Sequence, residues 1–344
     1  MNSQALTEPV IERAVRPDRR IVAIASGKGG VGKTVITANL AHALAADPAS
    51  RHQKIVAVDL DLGCGNLNTC MGVRNPSGNI SDFLMGRTTS LSPILSRTEQ
   101  PSLEMISCSY RLEEAQPDRE RKGELLENLR GLDARFVLLD LGAGTSPEVL
   151  DFFLSADHKI VVITPESLSL HNAFLFLKTA IMHFVLRELE QKDFLQAVRA
   201  KLRELVEGKE DFNLRNVIEQ LKLWDLYAGY ILSGMINDLK VKIVVNMYRG
   251  RRTDKRALTN FNNLLFRYLQ LRSNLGFLGF VHFDPHVPES VQKVQPFLPR
   301  YPRSRAAQDI RHLAARLLKD APLEYIPPLK FPKRPWWERV LRRL

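Results

Sequence analysis

Ser26-Gly27-Lys28-Gly29-Gly30-Val31-Gly32-Lys33-Thr34 is the stretch on which the reading of this chain turns. It follows an apolar run, Ile21-Val22-Ala23-Ile24-Ala25, and precedes a helical pattern from about Val35 to Leu44. Strand, glycine-rich turn and helix form the setting of a phosphate-binding loop, and Gly27, Gly32, Lys33 and Thr34 meet the G-x-x-x-x-G-K-[ST] spacing without mismatch. The glycines let backbone N–H groups converge on one concavity, where the helix presents its positive end. Lys33 is placed to reach the β- and γ-phosphates, and the Thr34 hydroxyl to ligate Mg²⁺. The expected ligands are therefore ATP and Mg²⁺.

Outward from this loop, apolar runs alternate with helical patterns from Arg20 onward. That alternation predicts an α/β fold, a mainly parallel twisted sheet flanked by helices. Strands are expected at 21–25, 55–59, 136–140, 160–164, 243–246 and 277–281, with a further one at 103–107. At 344 residues there is room for one large domain, expected over 20–320 after a polar N-terminal extension, 1–19. One interval breaks the alternation. Between about 183 and 240, Phe194, Leu195, Val198, Leu202 and Leu205 recur at helical spacing, as do Val217, Ile218, Leu221 and Trp224. This predicts an insertion of two or three amphipathic helices.

Composition narrows the class. No apolar run reaches the ~18–20 residues that span a bilayer, and the first twenty residues lack the apolar core of a signal peptide. Cys64, Cys70 and Cys108 form no C-x-x-C pair, so neither a disulfide framework nor a cysteine metal site is expected. A cytoplasmic chain is the expectation. The net charge of +11 points to an anionic partner, nucleic acid or a membrane surface.

Hydrolysis of a nucleotide needs acids at the carboxyl ends of parallel strands, facing the crevice. Asp59-Leu60-Asp61 ends one apolar run, and its two acids point to one side of an extended backbone. Asp61 suits the orientation of the attacking water and Asp59 the metal's water shell. Phe136-Val137-Leu138-Leu139-Asp140 has the layout of a Walker B strand, with Asp140 contacting Mg²⁺ through water.

The second lysine of the loop is not needed to hold a nucleotide within one subunit. With Lys28, the run Lys28-Gly29-Gly30-Val31-Gly32-Lys33-Thr34 resembles the signature of the deviant Walker A ATPases, the MinD/ParA superfamily. The resemblance implies an ATP-dependent homodimer in which Lys28 reaches the partner's nucleotide. It also implies that Asp61 is the hydrolytic residue, because Asp59-Leu60-Asp61-Leu62-Gly63-Cys64-Gly65-Asn66-Leu67 resembles switch I of MinD and of the FlhG (FleN) flagellar regulators. Leu141-Gly142-Ala143-Gly144-Thr145-Ser146 resembles the FlhG switch II, with Leu141 in place of threonine. Thr164-Pro165-Glu166 looks like a turn of the family. Val244-Val245-Asn246 resembles the strand whose asparagine reads adenine. The run from Gly279 to Val287 resembles an FlhG segment that brings Asp284 to the nucleotide, with His282 where proline is usual. His282 and His286 have no partners at metal spacing. The switch wording is nearer FlhG than ParA.

The chain ends with a Pro-rich linker, 321–335, and a basic amphipathic stretch, 336–344. On a helix starting after Pro335, Trp336, Trp337, Val340, Leu341 and Leu344 line one face, with Glu338, Arg339, Arg342 and Arg343 on the other. Such a helix binds an anionic membrane surface, and MinD ends in a similar anchor. The implied function is a dimerising switch ATPase, a spatial regulator of flagella or of the division site. It would be cytoplasmic and peripheral on the inner face of the membrane, with a protein activator or cargo not identified by the sequence. Arg249, Arg251, Arg252, Lys255 and Arg256 support a second-ranked alternative, a ParA-like ATPase on nonspecific DNA.

Overall fold

The computed structural model describes residues 19–50, 53–62, 65–108, 119–190, 196–206, 213–269 and 275–319. The linker 321–335, the terminal helix 336–344 and all of the N-terminal extension except Arg19 lie outside these residues. Among the described residues, eight strands form one sheet: β1 (Arg20–Ser26), β2 (Ile55–Leu60), β3 (Ser96–Arg97), β4 (Leu103–Ile106), β5 (Phe136–Ala143), β6 (His158–Ile163), β7 (Val241–Tyr248) and β8 (Leu275–His282). Their order is β3-β4-β2-β5-β1-β6-β7-β8. Every pair is parallel except β3 with β4. The seven expected strands are present. The two-residue β3 was missed because Ser96-Arg97 carries no apolar run.

Burial explains the legibility of the strands. Helices cover both faces of a parallel sheet, so its strands read as continuous apolar runs. In β1, Ile21, Ala23 and Ala25 enter one core while Val22 and Ile24 enter the other. The helix Lys33–Ala46 lies in the second core, packed on the sheet beside the helix Arg305–Leu318, which itself covers β8. β1 is central, and the chain leaves it toward β2 on one side but later crosses to β6 on the other. Crevices at such a reversal of strand order are where α/β sheets take ligands.

Between β6 and β7 the described residues form four helices, Ser167–Glu190, Gln196–Val206, Leu214–Trp224 and Leu226–Asp238. The first runs unbroken through position 183, so the extra helices grow out of a helix of the main fold. Val198, Leu202, Leu205, Val217, Ile218 and Leu221 are buried, as their spacing predicts. Phe194 and Leu195 lie outside the described residues. Trp224 departs from the pattern: at the last position of its helix it is 46% exposed rather than packed. Asp225 ends that helix and starts the next, its carboxylate accepting from the Ala228 N–H at 2.9 Å. One residue thus serves two helix ends, which makes the corner abrupt.

Candidate nucleotide-binding site

The loop after β1 is held from three sides. The Ser26 hydroxyl donates to the Lys28 carbonyl at 2.7 Å, and the Gly144 N–H donates to the Ser26 carbonyl at 3.1 Å. The Asn246 amide, from β7, donates to the Val31 carbonyl at 2.9 Å. Two glycines are required here by geometry. A Cβ on Gly27 would overlap the Asn172 carbonyl of the helix Ser167–Glu190. Gly32 has φ 87°, and a Cβ there would overlap the Asn246 amide nitrogen. Gly32 is the N-cap of the helix Lys33–Ala46, and no side chain caps that helix. Its first N–H groups therefore keep the positive end of the helix dipole available to an anion.

Five side chains gather at the end of the loop. Lys33 is buried, and the Thr34 hydroxyl lies beside the Asp140 carboxylate, favouring its charged form. Thr37 donates to Asp140, at 3.1 Å. Sequence reasoning passed over Thr37; its only signal is its place one helical turn after Lys33. Asp59 pairs with Asp140 across the β2–β5 register, and both are buried. Burial, followed by the charge of Asp140, pushes the Asp59 carboxyl up to about 7. Burial likewise pushes Asp140 up to about 6, against the hydrogen bond from Thr34 and the charge of Lys33. Two carboxylates this dry and this close are costly as a bare pair. Their chemistry, beside the Thr34 hydroxyl, suits a divalent cation and its water shell.

Asp59 also organises the segment that follows it. Its Oδ1 accepts from the Asp61 N–H at 3.1 Å and its Oδ2 from the Leu67 N–H at 3.0 Å. Asp61 is half-buried, and its Oδ1 lies 3.6 Å from the place a Cβ on Gly142 would take. The segments that follow β2 and end β5 thus meet at Asp61. Leu141 is buried in the core beneath them, so packing has replaced the hydroxyl of the resembling pattern.

Lys28 is partly exposed, and its ammonium lies 3.7 Å from the carboxylate of Glu166, after β6. Asn246 has its amide nitrogen on the Val31 carbonyl. Asp284 follows β8 at the sheet's edge, where it accepts from the His286 N–H at 3.0 Å. Burial pushes the Asp284 carboxyl up, but the bonds from His286 and Ser304 outweigh it and hold it below the ordinary range. His282 pairs with Asp309 at 2.7 Å. Among the described residues no group of three or more His, Cys, Asp or Glu side chains could hold a metal ion. The structure thus brings Lys33, Thr34, Asp59, Asp61 and Asp140 together, ties Asn246 to the loop, and leaves Asp284 on the edge strand's loop.

Loop, helix and acids together make the site of a P-loop nucleotide-binding protein. The chain belongs to the CobQ/CobB/MinD/ParA nucleotide binding domain family, which it matches over residues 22–297. It is 34% identical over 154 residues to the septum site-determining protein MinD of Helicobacter pylori, a match covering 44% of this chain and 56% of that protein. The chain thus spans about half the length of the curated relatives it matches. MinD of Pyrococcus horikoshii, solved with Mg-ADP, superposes with a TM-score of 0.58 at 22% identity, over 87% of this chain and 96% of that one. The MinC:MinD complex of Aquifex aeolicus gives 0.56 at 21%, over 91% and 100%. At these identities the structural likeness is one of fold.

Proposed function

We propose that this chain is an ATP-dependent dimerising switch ATPase of the MinD/FlhG type, which cycles on and off the inner face of the membrane. The observation that carries the reading is Lys28, a second cation in a loop whose phosphate lysine is already Lys33. Gly27 to Thr34 bind the phosphates. Thr34, with Asp59 and Asp140 through water, holds Mg²⁺, which when bound offsets the charge on the β- and γ-oxygens. The MinD relative solved with Mg-ADP supports both ligands.

Asp61, held at the meeting of the two switches, orients the attacking water. Lys28 leaves Glu166 and reaches the nucleotide of a second copy, while Asn246 and Asp284 serve the base. Dimerisation brings two terminal helices to the bilayer, and their joint binding exceeds that of either alone. Hydrolysis reverses the cycle. A partner protein stimulates it, as a complex of MinD with MinC makes reasonable. The process served is placement of flagella or of the division site, with the switch wording favouring flagella.

Co-sedimentation with anionic liposomes tests this. The full chain should sediment with a nonhydrolysable ATP analogue but not with ADP, and a chain ending at Lys330 with neither. Sedimentation indifferent to nucleotide and tail would sink the membrane cycle. Asp61→Ala should lower turnover about 100-fold with nucleotide binding intact; unchanged turnover would remove Asp61 from its role. One observation favours the DNA reading: Arg249, Arg251, Arg252, Lys255 and Arg256 are all exposed. Asp254, which lies among them, accepts from the Arg249 and Arg251 N–H groups. Salt-sensitive retention of the tail-less chain on nonspecific DNA would select that reading.

A further inference from the structure

The corner between the helices Leu214–Trp224 and Leu226–Asp238 is built unlike any other apolar part of the described chain. Residues 223–227 are exposed without a break. A helix lying on a surface hides one residue in every three or four, so five consecutive exposed positions mean that the corner protrudes. Four of the five are large and apolar: Leu223 (89% exposed), Trp224, Leu226 (60%) and Tyr227 (68%). Tyr230, one turn further, is exposed as well. A soluble surface rarely gathers so much apolar area at one point without a use for it.

The corner is also rigid. A Cβ on Gly229 would overlap the Lys222 side chain, so the two helices meet at closest approach there. The Lys222 ammonium stands 5.4 Å from the centre of the Tyr230 ring and 3.2 Å from Glu219. Charge at the corner is nearly balanced. Glu219 and Lys222 pair with each other, and the Asp225 carboxylate is turned back onto its own helix. A tip of this shape needs a surface that conforms to it. Tryptophan, tyrosine and leucine are the residues that settle where water meets acyl chain.

We propose that this corner is a second membrane-contact element, which inserts Leu223, Trp224, Leu226 and Tyr227 into the headgroup–acyl boundary of the bilayer and, unlike the tail, needs no anionic lipid to do so. The proposal deepens the membrane reading above and rests on it for its biological sense, yet the two contacts differ in charge. The tail carries arginines and prefers anionic lipid. The corner carries Asp225 beside one balanced ion pair, so anionic lipid gives it no advantage. Held close to a bilayer by the tail, even a weak corner contact gains from effective concentration, and it would fix the orientation of the domain.

The chain has three tryptophans, so W336F with W337F leaves Trp224 as the only emitter. With phosphatidylcholine vesicles, Trp224 emission should shift to the blue and be quenched by brominated acyl chains. Adding Leu223→Ser and Tyr227→Ser, both at exposed positions, should weaken that partitioning about tenfold. Trp224 emission that neither shifts nor is quenched overturns the proposal, whether or not the tail binds. If that silence comes with self-association lost on the same two substitutions, the corner belongs to a second copy. The chain ending at Lys330 reports on the tail separately: quenching of Trp224 that survives truncation upholds the corner even where the tail fails.

Discussion

The carboxyl edge of β1, β2 and β5 and the helical insertion between β6 and β7 use sequence in opposite ways. At the edge, almost every position has one tolerable residue. Gly27 and Gly32 have no room for a side chain. Asp59 and Asp140 are buried acids side by side in register, Thr37 is committed to Asp140, and the Thr34 hydroxyl lies beside it. In the insertion the requirement is statistical. An apolar residue every three or four positions packs the helices, and which apolar residue stands there matters little. Identity is demanded where backbone and polar side chains meet at hydrogen-bond distance, whereas periodicity is enough where a helix only has to cover a core.

The largest effect expected from this contrast is at Gly32. Gly32→Ala forces an alanine to φ 87° and drives its Cβ into Asn246, which then loses its bond to Val31. Left-handed strain costs about 1 kcal/mol, and displacing the loop should cost more. Nucleotide affinity should fall about 100-fold, read by titration with a fluorescent ATP analogue. The matched change in the insertion, Gly234→Ala, meets nothing within 4 Å and should leave that affinity unchanged. Equal losses would erase the contrast.

A smaller effect is expected where the two regions touch. The helix Ser167–Glu190 starts against the loop, through Asn172 and Glu166, and ends among the insertion's helices. Glu166→Gln removes the partner of Lys28. Exposed ion pairs contribute little to stability, and the Glu166 side chain is 69% exposed, so thermal unfolding should stay where it is. Nucleotide-dependent self-association should instead shift to about threefold lower protein concentration, because Lys28 no longer has to be drawn from its own subunit. Self-association unmoved by the change would mean that Glu166 does not restrain Lys28.

These same differences account for what could be read before the structure. Seven strands and the loop were legible because a buried parallel strand is an unbroken apolar run and a phosphate loop is a fixed spacing. That Asp59 and Asp140 lie toward the carboxyl ends of their strands was legible too, although β5 runs on to Ala143; their adjacency was not, because it depends on β2 lying beside β5. The Lys28–Glu166 pair brings together residues far apart in sequence, and no local pattern announces it. Thr37 was hidden because a threonine on a helix has many uses. Trp224 misled: its spacing is that of a core residue, but its helix turns at Asp225 before the ring can be covered.

The smallest effect tests whether the tight packing around the loop extends to the far end of its helix. His42 lies two turns beyond Lys33, buried, with Nδ1 3.0 Å from the Gln100 Oε1. Burial holds its pKa below the ordinary value, and neither the Gln100 bond nor the charge of Glu99 reverses this. The folded chain therefore binds fewer protons at His42 than the unfolded chain does just below the ordinary histidine pKa of about 6.5. Stability tied to this residue is present above that pH and is lost as pH falls through it. His42→Gln removes the titration and keeps a side chain able to hydrogen-bond Gln100. Between pH 7.5 and 5.5 the native chain should lose more thermal stability than the variant, by roughly 2 °C for a domain of this size. Parallel curves would mean that water reaches His42, and the close packing would then end within the first turns of the helix.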